Sequence, residues 1–187
     1  WVSVDGNGAY VALTNGLTSG GSGPVLTLLE CERPTQASAP GGVTCFGRVR
    51  RIAKNEWLKL LPELNTYIKT QVALWVGTPA KVLAVLATDK DWSVRCWVAR
   101  NTSTPAKVLA GLATDENASV RYYVAQNTST PAKTLAVLAT DKDANVRYYV
   151  AQNTSTPAKV LAVLATDENA NVRYRVAGNT STTAKTL

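Results

Sequence analysis

A repeat of fixed length constrains this chain more than any other feature. Thr78-Pro79-Ala80-Lys81 recurs from Thr104, Thr130 and Thr156, and again as Thr182-Thr183-Ala184-Lys185, with a constant period of 26 in sequence number. One unit, Thr104 to Ser129, reads TPAKVLAGLATDENASVRYYVAQNTS. Four full units lie between Thr78 and Ser181, and the sequence ends six residues into a fifth, at Leu187, so more repeat is expected beyond it. A unit this short cannot bury its own apolar face. Stacked neighbours bury it, and the expected product is an α solenoid.

Within a unit the pattern reads as two short helices. Thr104 suits an N-cap, and Pro105 the first helical position, where its missing N–H is not needed. Val108, Leu109, Leu112 and Ala113 then make one apolar stripe. Thr114–Asn117 breaks the pattern, and Asp115 or Asn117 can cap the second helix. There Val120, Tyr123, Val124 and Asn127 share a face, with Asn127 expected in a left-handed C-terminal position.

Counting back one period from Val98-Ala99 reaches Val72-Ala73, so Ile52–Gly77 reads as a degenerate repeat. Three segments follow: a small β-rich segment over 1–47, a helical N-terminal cap over 48–77, and the repeats over 78–187. The β reading rests on Trp1–Val4 and Ala9–Leu13 flanking Asp5-Gly6-Asn7-Gly8, a hairpin signal, with further strands at Pro24–Glu32 and Val43–Phe46. Cys31 and Cys45 bracket a Pro/Gly-rich loop. A disulfide between them is the simplest reading and places the chain in an oxidising compartment, secreted or at a cell surface. The alternatives are two unpaired thiols or a two-ligand metal site. Cys96 is expected to be a free thiol at or near the surface.

Composition excludes much. There is no histidine, so no Ser-His-Asp triad, His-Cys dyad or histidine metal ligand. Three cysteines cannot make a four-cysteine site. No methionine is present, so the sequence is expected to start after its natural start. No run of 18 apolar residues exists to span a membrane. The net charge is +7; by count, residues 1–77 contribute +2 and residues 78–187 contribute +5, spread evenly rather than in a basic arm.

Two kinds of column in the repeats carry candidate chemistry. Asp89, Asp115, Asp141 and Asp167 recur, as do Arg95, Arg121, Arg147 and Arg173. A ladder of Asp–Arg pairs would set the stacking register; arginines turned to phosphate are the rival reading. Tyr122, Tyr148 and Tyr174 form an aromatic row beside Trp97, Tyr123 and Tyr149. Periodicity assigns Tyr123 to the core, so Tyr122, Tyr148 and Tyr174 are expected to be exposed. They then cover a neighbour's edge, anchor a protein contact or stack bases. Asn101, Asn127, Asn153 and Asn179 each satisfy the glycosylation sequon, which the repeat itself already explains. Arg48, Arg50, Arg51 and Lys54 read as a basic start to the cap helix, suited to a membrane surface, to phosphates or simply to solvent.

The pattern TPAKVLAxLATDxxxxVRxxVAxN resembles the leucine-rich repeat variant, a bacterial α-solenoid module. Thr104-Pro105, Leu109, Leu112-Ala113, Asp115, Val120-Arg121, Val124-Ala125 and Asn127 carry the resemblance, with their equivalents over residues 78–187. It implies alternating α and 3₁₀ helices in a right-handed superhelix, related to HEAT arrays. The period here is longer than the family's usual. An iron–sulfur segment known before the repeats of one relative has no counterpart, so no cofactor is expected. No common enzymatic activity accompanies the family, and the resemblance implies a scaffold. The expectation is a non-enzymatic module for protein–protein interaction or self-assembly into a filament or surface structure. A nucleic-acid-binding solenoid using the Tyr, Arg and Lys rows is the alternative.

Overall fold

The computed structural model describes residues 56–182 with their side chains and, upstream, only the backbone of short strands between Val2 and Arg51. The chain divides into two compact units, Trp1–Val82 and Leu83–Leu187.

In the first unit the strands are β1 (Val2–Ser3), β2 (Tyr10–Leu17), β3 (Pro24–Cys31), β4 (Pro34–Gln36), β5 (Val43–Cys45) and β6 (Val49–Arg51). An antiparallel sheet runs β1-β2-β3-β6, with Val11 opposite Glu30 and Leu29 opposite Arg51, and β4 pairs with β5. Arg50 and Arg51 therefore belong to a strand and not to the start of a helix. Cys31 and Cys45 sit on β3 and β5. Their side chains lie outside the described residues, and so does the expected disulfide.

Helix α1 (Trp57–Leu60) runs into a 3₁₀ turn, Leu61–Glu63, at Pro62, whose ring cannot continue an α-helix. Asn65 then caps α2 (Thr66–Leu74) by accepting from the Ile68 N–H at 2.9 Å. Trp57, Leu61, Leu64, Ile68, Val72 and Ala73 are buried together in this unit. The Trp57 and Trp75 rings lie 5.8 Å apart. Gly77 is the residue that the Trp75 ring permits, because a Cβ there would stand 2.3 Å from it.

Each repeat contributes two α-helices. The first helices are α3 (Ala80–Leu86), α5 (Ala106–Leu112), α7 (Ala132–Leu138) and α9 (Ala158–Leu164); the second are α4 (Trp92–Arg100), α6 (Ala118–Gln126), α8 (Ala144–Gln152) and α10 (Ala170–Ala177). Both members are α-helical. Among the described residues the 3₁₀ segment is Leu61–Glu63, outside the repeats, so the alternation implied by the resemblance is not the local geometry here.

The second helices pack side by side, α4 on α6, α6 on α8 and α8 on α10, and α5, α7 and α9 lean against them. The core follows the period. Leu109, Leu112, Leu135, Leu138, Leu161 and Leu164 of the first helices meet Val94, Val120, Val146 and Val172, then Val98, Val124, Val150 and Val176, of the second. Ala99, Ala125 and Ala151 are fully buried where neighbouring second helices approach, and a larger side chain there would push them apart.

Two local expectations are corrected. Thr104, Thr130 and Thr156 are not N-caps; that position is held by Pro105, Pro131 and Pro157 in an extended conformation. Helical backbone is disfavoured for a residue before proline, and each threonine points backwards. Its hydroxyl donates to the carbonyl of Val98, Val124 or Val150 at 2.6 Å, a helix-end acceptor that also takes the N–H of Asn101, Asn127 or Asn153 at 3.2 Å. Thr78 does the same to Val72, and Thr182 to Val176. Asn127 is also not left-handed: φ −67° and ψ 122° are ordinary extended values. Its backbone N–H closes α6 by donating to the Tyr123 and Val124 carbonyls, and its side chain reaches the preceding unit.

Candidate interaction surface

The Arg and Asp columns meet between units. Arg95 donates to Asp115 through Nε at 2.7 Å and Nη2 at 3.0 Å. Arg121 holds Asp141 the same way at 2.6 and 3.0 Å, and Arg147 holds Asp167 at 2.7 and 3.0 Å. Nη1 turns back to the carbonyl of Asp89, Asp115 or Asp141 in the arginine's own unit, at 2.8 Å in each case. Each guanidinium thus ties its own interhelical loop to the carboxylate of the following unit. The side chains of these rungs are at most 10 % exposed, so the arginines have no face left for a phosphate. Arg173, exposed on α10, bonds to the Asp167 and Glu168 carbonyls.

The electrostatics fit a filled ladder. Burial is the largest influence on Asp115 and Asp141 and works against ionising them, but the hydrogen bonds from Arg95 and Arg121, the backbone N–H bonds and the nearby positive charges together outweigh it, and both carboxyls titrate below their ordinary range. For Asp167 the bonds from Arg147 dominate, with the same net direction. The carboxylates also accept, through Oδ1, from the N–H two residues on, and Asp91, Asn117, Asp143 and Asn169 then cap the second helices. The D-x-[DN] triplet in each unit is this pair of consecutive side-chain turns. The residue between them alternates Lys90, Glu116, Lys142, Glu168; Glu116 and Glu168 approach Arg95 at 3.6 Å and Arg147 at 3.1 Å.

A second ladder was not anticipated from the sequence. The Nδ2 of Asn127 donates to the carbonyls of Ala99 and Asn101 in the preceding unit, at 2.6 and 3.0 Å. Asn153 reaches Ala125 and Asn127, and Asn179 reaches Ala151 and Asn153, at 2.6 to 3.1 Å. Oδ1 accepts the N–H of Ser103, Ser129, Ser155 or Ser181. All four asparagines are buried, and the amides of Asn127, Asn153 and Asn179 are spent on the preceding unit, so the sequons offer nothing to glycosylation in the folded chain. The asparagine's fixed place in every unit was the available signal.

The aromatic rows do not separate into an inner and an outer one. Tyr122, Tyr123, Tyr148 and Tyr149 are all half-buried, and Tyr174 is 75 % exposed. Adjacent helices leave a shallow groove, and rings fill it edge to face: Tyr122–Tyr123 at 4.9 Å, Tyr122–Tyr149 at 4.3 Å and Tyr148–Tyr149 at 5.1 Å between centroids. Arginines close the file. Arg100 lies 5.1 Å from the Trp97 ring and 5.9 Å from Tyr123; Arg175 lies 4.8 Å from Tyr148 and donates to its hydroxyl. Hydrogen bonding with Tyr149, together with burial, pushes the Tyr122 phenol up to about 12.

Open cavities run beside this file. One of about 210 Å³ is lined by Trp92, Ser93, Cys96, Trp97, Arg100 and Tyr123. A broader one of about 630 Å³ lies between Tyr122, Tyr148, Tyr149 and Tyr174, with Asn145, Asn169 and Asn171 at its edge. Cys96, expected near the surface, is buried at 5 %, because it takes the tyrosine column's place with a smaller side chain; burial pushes its thiol up to about 11. Among the described residues no group of three or more potential metal ligands occurs, and no helix is long and apolar enough to cross a membrane.

Fold and surface together define an α-helical repeat protein whose units are clamped by two buried polar ladders. No protein-family model matches the chain, and no curated protein matches it. Among solved structures it is similar to one described as a leucine-rich repeat variant with a novel repetitive protein structural motif, at 21 % identity and a TM-score of 0.35. The match covers 72 % of this chain and 64 % of that one, so the chain spans less than two thirds of its length.

Proposed function

We propose that the chain is a non-enzymatic repeat scaffold that binds a protein partner on the face formed by its second helices. The observation carrying this reading is the aromatic file from Trp97 to Tyr148, capped by Arg100 and Arg175. Half-buried tyrosines and tryptophans lose little side-chain entropy on binding and anchor interfaces out of proportion to their number. The non-enzymatic reading is supported by where the charges go. The Asp column and Arg95, Arg121 and Arg147 are spent on holding units together, which leaves them no free valence for acid–base work. The same engagement argues against the alternative, a nucleic-acid-binding solenoid, whose arginine rows would have to face phosphates.

The reading extends to a right-handed superhelical path for the repeats, a β-rich segment over 1–47 closed by Cys31–Cys45, and an extracytoplasmic location. A thiol count under denaturing conditions tests the last two: one free thiol supports them and three refute them.

Selection from a displayed library of random peptides tests the surface. Enriched binders should weaken when Tyr148→Ser or Tyr122→Ser is introduced and should be indifferent to Lys133→Ser on α7. Binders that ignore the tyrosines overturn the reading. If the occupant is a second copy of the chain, sedimentation will show association that grows with concentration and is lost with Tyr148→Ser.

A further inference from the structure

Resting on that partner reading, we propose that the face between Arg100 and Arg175 takes an extended acidic peptide, lying across the second helices with a carboxylate at each guanidinium. Three observations carry this.

The first is charge. Among the described residues neither Arg100 nor Arg175 has a carboxylate partner; each rests on aromatic rings. Ring faces leave the Arg100 fork of N–H donors free for a planar anion, and at Arg175, whose Nε is held by the Tyr148 hydroxyl, they leave the two Nη groups. Asp143, which lines a cavity beside Tyr122 and Tyr123, is engaged in capping α8 through the Asn145 N–H and does not neutralise either arginine.

The second is spacing. Contacts of 5.9, 4.9, 4.3, 5.1 and 4.8 Å join Arg100 to Arg175 through four tyrosines, so the two cations stand at most roughly 25 Å apart. An extended chain rising ~3.3 Å per residue covers that in about eight steps.

The third is what lies between. The column begun by Arg100 continues as Gln126 and Gln152, both exposed, and that of Ser93 as Ser119, Asn145 and Asn171. These neutral amides and hydroxyls suit the N–H and C=O groups of a peptide backbone. A nucleic-acid strand carries an anion on every nucleotide and would meet cations only at the two ends of this path. The cavity of about 210 Å³ beside Trp92, Trp97 and Arg100 takes a side chain with an apolar body and an anionic tip, such as glutamate.

The test uses the full chain and two labelled peptides of about nine residues with blocked ends and one Ser/Pro/Tyr centre. One has glutamate at its first and last positions, the other lysine. The glutamate peptide should bind roughly tenfold or more tighter and change the tryptophan emission. Arg100→Glu with Arg175→Glu should invert the preference, circular dichroism confirming an unchanged fold. A twelve-nucleotide oligothymidylate should not compete. Equal binding of both peptides, no binding of the glutamate peptide at millimolar concentration, or a preference that survives charge reversal overturns the proposal. Salt-sensitive competition by oligothymidylate overturns it in favour of a polynucleotide. If displayed binders stay sensitive to Tyr148→Ser while end charge has no effect, the partner reading stands and only the acidic-peptide inference falls.

Discussion

Removing one carboxylate from the middle rung of the Arg–Asp ladder gives the sharpest test of the stacking mechanism. Asp141→Ala leaves the Arg121 guanidinium, whose side chain is 7 % exposed, without acceptors for Nε and Nη2. Nη1 keeps its bonds to the Asp115 and Glu116 carbonyls at 2.8 and 3.1 Å. Stripping one partner from a buried pair costs about 3–5 kcal/mol, and the surviving bonds place this case near the lower end. Replacing both partners, Arg121→Met with Asp141→Leu, removes the unpaired charge and should recover part of that loss, the bonds to the Asp143 N–H and to the Asp115 and Glu116 carbonyls remaining absent. The effect has a pH signature. Asp141 titrates below its unfolded value, so its stabilisation is fully present above about pH 4 and disappears as pH falls through the folded value. The gap between parent and Asp141→Ala should therefore narrow in acid. Urea unfolding followed by helical circular dichroism measures the totals. Hydrogen exchange locates the damage, which in an array coupled only to neighbours should concentrate in α6 and α8. A cost under about 1 kcal/mol for the single change, or a double variant no better than the single, refutes the ladder as the origin of register.

Three further outcomes follow from the same geometry. Asn153→Ala removes two donors from the buried carbonyls of Ala125 and Asn127 and should cost about 1–3 kcal/mol, measured by thermal melting; a change within a few tenths would show the asparagine ladder to be idle. Thr130→Val deletes the bond to the Val124 carbonyl at constant shape and should lower stability by about 1 kcal/mol, while Thr128→Val, exposed two residues earlier, should do nothing. Cys96, buried with a thiol pushed up to about 11, should react with a thiol-specific chromogen at pH 8 only as fast as the chain opens; immediate stoichiometric labelling of the native protein at this position contradicts the placement.

The helical repeat was legible because it is a statement about periods. The leucines of the first helices and the valines of the second recur once per unit length, and the structure buries them, while the column of Val85, Val137 and Val163 is exposed. The short-range chemistry was harder. Thr104 before Pro105 looks like a helix start, yet the proline's restriction on its predecessor turns that hydroxyl towards the helix already finished. Asn127 has the composition of a left-handed cap, but its amide serves the previous unit, a contact 26 to 28 residues away that no local rule contains. Tyr122 and Tyr123 defeat a single-helix argument for a related reason. Periodicity sorts a residue by its own axis, whereas a ring lying between two parallel helices belongs to the groove they share.

The two ladders point in opposite directions along the chain: Arg95, Arg121 and Arg147 reach forward to the next unit, and Asn127, Asn153 and Asn179 reach back to the one before. A unit therefore has a donor head and a donor tail that fit only its own kind in one order. Gain or loss of a whole number of units leaves every joint intact, while a change of any other length breaks both ladders at the scar. The array is a ruler that can be lengthened by copying but not by stretching, and the reach of the face formed by its second helices is set by how many copies are strung together.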